Sequence, residues 1–173
     1  MTSLVLSDLK LLRLTLDRIG PFQETEKVID FMGLPDEGGV RSPANLYMLL
    51  AKNGHGKTTI LEAIHGLFGL LAEPVAGRFS KRGFYGRVQA DLRATWTLDG
   101  KTQTVLLSLW TGGPTPLRAW DVASEREDFA AVSEWAALGL EWNGVNRVIY
   151  DHTNALGAAF LQAVQEQLDT APT

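Results

Sequence analysis

The nine residues Ala51-Lys-Asn-Gly-His-Gly-Lys-Thr-Thr59 constrain this chain more than any other stretch. Ahead of them stands a short apolar run, Leu46-Tyr-Met-Leu-Leu50, so Asn45–Leu50 reads as a strand buried on both faces. Behind them Ile60, Leu61, Ile64, Leu67, Phe68 and Leu71 recur at spacings of three and four, which predicts an amphipathic helix from Lys57 to Ala72. A glycine loop between a buried strand and a helix N-terminus is the setting of a P-loop. Gly54 and Gly56 let the backbone fold tightly enough to turn several N–H groups onto one small anion. The helix beginning at Lys57 adds the positive end of its dipole. The expected nucleotide-binding residues are Lys52, Asn53, Gly54, His55, Gly56, Lys57, Thr58 and Thr59. Lys57 is expected to reach the β- and γ-phosphates and is the one catalytic candidate; Thr58 is expected to place its hydroxyl on Mg²⁺, and Thr59 lies toward the α-phosphate. Mg-ATP is the expected ligand. Ala51 stands where the strict pattern has its first glycine.

The elements around the loop predict an α/β fold. Leu12, Leu14 and Leu16 alternate with polar residues, so Lys10–Asp17 reads as a half-buried strand, closed by a Gly20-Pro21 turn. Glu26–Met32 reads as the next strand and Gly33–Pro43 as a loop. Strict alternation from Arg87 to Leu98, an Asp99-Gly100 turn and a return strand over Thr102–Trp110 predict a β-hairpin. Phe129, Val132, Trp135 and Ala136 share one face of a predicted helix over Glu125–Leu138, Gly144–Tyr150 reads as a short strand, and Asn154 caps a last helix over Ala155–Leu168. The whole chain, residues 1–173, is read as one domain with a parallel P-loop core and an antiparallel β lobe beside it.

Composition narrows the chemistry. With no cysteine, disulfides, zinc–thiolate sites and a cysteine nucleophile are excluded, which fits a cytoplasmic protein. No apolar run is long enough for a membrane-spanning helix. A net charge of −4 argues against a uniformly basic nucleic-acid binder. Arg78, Lys81 and Arg82 with Phe79, Phe84 and Tyr85 form a basic-aromatic cluster that reads as a solvated loop or, less favoured, as a DNA contact. The five tryptophans read as core or lobe-interface residues, His55 as solvent-facing and His65 as structural.

The segment Asn53-Gly-His-Gly-Lys-Thr-Thr-Ile-Leu-Glu-Ala-Ile64 resembles the "NGxGKTTLLEAI" element of ABC-type ATPases of the SMC, RecF, RecN and SbcC class. Leu14-Thr-Leu-Asp-Arg-Ile-Gly-Pro-Phe22 is similar to the "L-x-L-x-N-F-G-P-F" opening of such proteins, with Arg18 and Ile19 in place of the usual Asn and Phe. The resemblance runs through the hairpin ending near Trp110 and implies the N-terminal nucleotide-binding lobe of an ATPase head. It further implies action in DNA repair, chromosome maintenance or defence against foreign DNA, completion by a C-terminal lobe, and a head-to-tail homodimer around ATP. In this reading Arg18 is an added nucleotide contact, beside a surface role of equal weight.

The same class carries an LSGG-like signature and a hydrophobic run ending in Asp-Glu, and neither is found in good form. Val148-Ile-Tyr-Asp151 has the run and the Asp, but His152 follows where the catalytic Glu would stand, so Asp151 reads better as a strand end. Leu107–Gly113 reads as a strand ending in a turn rather than a signature. Two readings of the chain stay open: a piece of a longer coiled-coil ATPase that hydrolyses ATP only once completed, or a reduced domain that binds nucleotide without hydrolysing it. From other classes, a stand-alone P-loop kinase or GTPase-like switch and a non-catalytic interaction module are the alternatives. The Asn-Lys-x-Asp base-recognition motif of Ras-like GTPases is absent.

Overall fold

The computed structural model describes residues 4–44, 46–52, 54–72, 86–120, 132, 134–151 and 156–170. Its scaffold is a six-stranded sheet of order β2-β1-β3-β4-β5-β6, with α1 (Lys57–Gly69) and α2 (Leu156–Thr170) packed on it. β1 (Leu4–Asp17) pairs antiparallel with β3 (Arg87–Leu98) along its length and with the short β2 (Lys27–Asp30) at its far end. β1 is longer than its clean alternation predicts because two register shifts, between Leu6 and Asp8 and between Leu11 and Arg13, break its period. β3 and β4 (Lys101–Thr111) form the predicted hairpin about Asp99 and Gly100, whose φ of 49° and 81° suit a tight turn. β5 (Glu134–Trp142) runs parallel to β4, and β6 (Arg147–Asp151) closes the sheet antiparallel to β5.

One face of the sheet buries the main core. Leu14, Leu16, Val88, Ala90, Ala94, Leu107, Leu109 and Leu138 receive Ile60, Ala63 and Leu67 of α1 and Phe160, Leu161 and Ala163 of α2. Each of the Leu, Ile, Val and Phe side chains contributes about 1.5–3 kcal/mol. Arg147 at the start of β6 donates through Nη1 to the carbonyls of Leu70 and Leu71, at 2.6 and 3.3 Å, so the end of α1 is tied to the edge strand. The other face carries a smaller cluster of Leu12, Met32, Leu106, Trp120 and Val132.

Two expected elements are corrected. The parallel core strand at Asn45–Leu50 is not formed: residues 46–50 lie outside the sheet, and parallel pairing is confined to β4 and β5 among the described strands. Strand 2 continues instead through a bridge between Met32 and Pro43 and a bond from Ala44 N–H to the Phe31 carbonyl, after which the chain leaves the sheet. Leu49 packs inward and Tyr47 stacks edge-on against Phe31, whereas Leu46, Met48 and Leu50 are 87%, 74% and 82% exposed. An apolar run becomes a central strand only when a neighbour takes its N–H and C=O groups, and the described residues supply none. The end of the helix predicted over Glu125–Leu138 is likewise replaced, since Glu134–Trp142 is a strand. Residues 136–141 are buried on both faces, so their apolar run carries no period of two to separate strand from helix. Phe129, with most of that predicted helix, lies outside the described residues, as do the basic-aromatic cluster 78–85, Asn154 and His152.

Candidate functional site

The glycine loop enters α1 as its motif requires. Gly56 is the N-cap of α1, with φ of 96°, and Gly54 before it has φ of 80°. Both values fall in the left-handed region, which glycine adopts without a Cβ penalty. The first intrahelical bond runs from Ile60 N–H to the Gly56 carbonyl at 2.9 Å. No side chain caps the helix, and its first turn holds no acidic residue. The amide groups at its N-terminus are thus left to an external acceptor, in a field that favours an anion. Lys57 reaches back over the loop and donates from Nζ to the Ala51 carbonyl at 2.5 Å. Gly54, Gly56, Lys57, Thr58 and Thr59 line a cleft of about 180 Å³ together with Pro21. Uncapped amides, one ammonium and a threonine pair form a donor set that fits a phosphate chain with a hard cation.

Pro21 belongs to a turn that closes β1. Ile19 and Phe22 exchange backbone hydrogen bonds of 3.2 and 2.8 Å, and the Gln23 amide donates to the Gly20 carbonyl at 2.9 Å. The turn lies hard against the loop. A Cβ at Gly56 would stand 2.6 Å from Cζ of Phe22 and 3.0 Å from Cγ of Pro21. A Cβ at Gly20 would stand 2.7 Å from Oγ1 and 2.8 Å from Cγ2 of Thr59. Neither glycine can be replaced without moving its neighbour.

The predicted site residues divide accordingly. Gly54, Gly56, Lys57, Thr58 and Thr59 come together around the cleft. Lys52 and His55 are exposed members of the same loop, joined by a bond from His55 N–H to the Lys52 carbonyl at 3.3 Å, and do not line it. Asn53 lies outside the described residues. Arg18 takes a left-handed φ of 53° and pairs with Asp17 at 3.2 Å, its side chain half exposed and away from the cleft lining. Asp151 is the last residue of β6. His65 is exposed on α1. Among the described residues no three His, Asp or Glu side chains cluster as metal ligands. Sequence reasoning placed Gly20 and Pro21 in a turn but not at the cleft; the Gly-Pro-Phe22 end of the opening motif was the available signal.

The opposite face of the sheet holds a second polar cluster. Asp91 is fully buried, and its Oδ1 accepts from Ser108 at 2.6 Å, Gln89 at 2.9 Å and Trp120 Nε1 at 3.0 Å. Its Oδ2 is buried without a partner. Trp135 Nε1 donates to Ser108 at 2.8 Å, and the Arg13 and Arg118 guanidiniums lie over the Trp120 ring at 5.0 and 3.9 Å. Loss of water pushes the Asp91 carboxyl above its ordinary range; the bonds from Ser108, Gln89 and Trp120 and the charge of Arg118 pull it back without cancelling the shift. Trp96, Trp110 and Trp120 are buried, as tryptophans of a core should be.

A glycine-rich loop feeding an uncapped helix, with a lysine folded across it, is consistent with a P-loop NTPase-like fold. A family model described as an AAA domain matches residues 13–103, more than half of the chain, and the chain belongs to that family of nucleotide-binding ATPase domains. The match spans the G-P-F turn, the glycine loop, α1, β3 and the first three residues of β4. Comparison with curated proteins and with solved structures gave no match. No helix among the described residues is long and apolar enough to cross a membrane.

Proposed function

We propose that this chain is the Mg-ATP-binding lobe of an SMC/SbcC-like ATPase head. The observation that carries this reading is the uncapped N-terminus of α1 behind left-handed Gly54 and Gly56, with the Lys57 ammonium lying over the loop. In this reading the amides near Gly56 hold the phosphates, Lys57 exchanges the Ala51 carbonyl for β- and γ-phosphate oxygens, Thr58 faces Mg²⁺ and Thr59 lies toward the α-phosphate. Lys52, Asn53 and His55 complete the loop, and Arg18 has a peripheral role. Mg²⁺ supplies charge neutralisation between the outer phosphates when bound.

The exposed row Leu46, Met48 and Leu50, directly before the loop, supports a head completed by a second lobe or a partner copy. Hydrolysis then requires a signature and an acidic base from elsewhere. The setting in DNA repair, chromosome maintenance or defence against foreign DNA rests on the sequence resemblance alone, as does a head-to-tail pair that closes on ATP.

Calorimetric titration of the chain with Mg-ATP and Mg-GTP tests the reading. Mg-ATP binding that is lost in Lys57→Ala is the expected result. Preference for GTP rejects the family assignment, and turnover by the lone chain rejects the need for completion.

A further inference from the structure

The contacts of the Ile19–Phe22 turn reach both sides of the junction between the glycine loop and α1. On one side the rings of Phe22 and Pro21 occupy the space where Gly56 would carry a Cβ, with Phe22 Cζ 2.6 Å from that point. On the other side the Gly20 backbone abuts the Thr59 side chain in the first turn of the helix, 2.7 Å separating Oγ1 from the equivalent point. The turn is itself fixed. Ile19 is 1% exposed in the main core, its two backbone bonds to Phe22 close the turn, and Gln23 braces the Gly20 carbonyl. A loop whose donors are set by a left-handed glycine is free to wander, because glycine loses more conformational freedom on ordering than any other residue. Walls against that glycine remove the freedom before a ligand arrives, and preorganisation of this kind appears as affinity.

We propose that the Ile19–Phe22 turn is a positioning bracket for the phosphate loop: Phe22 holds Gly56 in its left-handed conformation and Gly20 sets the side chain of Thr59. Phe22 and Gly20 are positioning residues, acting on phosphate through Gly56 and Thr59. The inference rests on the proposed nucleotide binding and adds to it a residue pair from β1's end that needs no contact with the ligand. It also gives the Gly-Pro-Phe segment a physical task. Pro21 and Phe22 must be flat and close to accept a glycine, and Gly20 must lack a side chain to accept Thr59.

The test measures Mg-ATP affinity of the full chain by calorimetry, at a temperature where circular dichroism shows each variant folded. Phe22→Ala, which opens the wall against Gly56, is expected to weaken binding about tenfold. Phe22→Leu, which keeps apolar bulk, is expected to stay within about threefold of wild type. Gly20→Ala, which presses on Thr59 from the other side, is expected to weaken binding about tenfold with the core intact. A purely structural role would lower the thermal midpoint of the nucleotide-free chain and leave the affinity of the folded fraction unchanged. Should Phe22→Ala not fold, Phe22→Leu and Gly20→Ala carry the test. A wild-type chain that binds and a Lys57→Ala chain that does not, with Phe22→Ala and Gly20→Ala both at wild-type affinity, overturns the bracket alone. A wild-type chain that binds no Mg-ATP overturns the nucleotide reading and the bracket with it.

Discussion

On the α1 side of the sheet Lys57 keeps its ammonium partly in water and lends it to one backbone carbonyl, that of Ala51. On the opposite side Asp91 has lost water altogether and shares one oxygen among Ser108, Gln89 and Trp120. The lysine's partner can be exchanged at small cost, because water and the loop compete for the same donor. The partners of Asp91 cannot, since each removed donor or acceptor leaves a buried group unmatched. A half-exposed ammonium and a buried carboxyl therefore differ in who can replace their partners. Substitutions at the loop should move affinity and spare stability, and substitutions under the far face should do the reverse.

The largest expected effect lies beneath the loop, where the comparison can break. Leu67 is 1% exposed in the core that seats α1 on the sheet, so Leu67→Ala should lower unfolding free energy by about 3 kcal/mol in denaturant titrations. If Mg-ATP affinity of the folded fraction falls as well, the loop and its platform are not separable. Next comes Lys57→Ala, expected to weaken Mg-ATP by about a hundredfold, about 2.7 kcal/mol, with a thermal midpoint like that of wild type. A large drop in that midpoint would show the lysine serving the fold.

Asp91 sharpens the contrast through pH. Its carboxyl in the folded protein titrates above its ordinary value of 3.8, so the folded state holds the proton more tightly than the unfolded one. Its contribution to stability is fully present below that ordinary value and is lost as pH rises through the raised folded value. The difference in stability between wild type and Asp91→Asn should therefore change over that window and be flat above it, read by denaturant midpoints across a pH series. A difference independent of pH would place the Asp91 titration at its ordinary value. Asp91→Ala, which strips three donors of their acceptor, should cost about 2 kcal/mol above that window and more below it, read by the same denaturant midpoints. The smallest effect is at Arg18, whose ion pair with Asp17 is exposed: Arg18→Ala should change stability by under about 0.5 kcal/mol. Its Mg-ATP affinity should shift by under about threefold, and a larger loss in calorimetry would bring Arg18 into the site.

The parts of the fold legible in the sequence are those whose signals are local. The period of α1, the alternation of β3 and the Asp99-Gly100 turn each depend on a few neighbouring residues. The placement of Gly54, Gly56 and Lys57 in a loop entering α1 was legible because that loop carries its signal in consecutive residues. What surrounds an apolar run is not written in the run. Leu46–Leu50 reads alike whether or not a strand lies beside it, and Ala136–Leu140 reads alike as a helix or as a doubly buried strand. Asp91 looked like one polar tooth of an alternating strand, because alternation names a face without naming its cover. The closeness of Gly20 to Thr59 joins residues 39 positions apart and needs the sheet to bring them together.

Arg147 meets the end of α1 across 77 residues of chain. A helix so tethered cannot fray from its C-terminus while the edge strand stays in place, nor can that strand peel away alone. The two elements thereby share one opening event, and amide hydrogens in the last turn of α1 and in β6 should exchange with solvent at a common free energy. At the other end of the same helix it is the Ile19–Phe22 turn, packed against Gly56 and Thr59, that the glycine loop abuts.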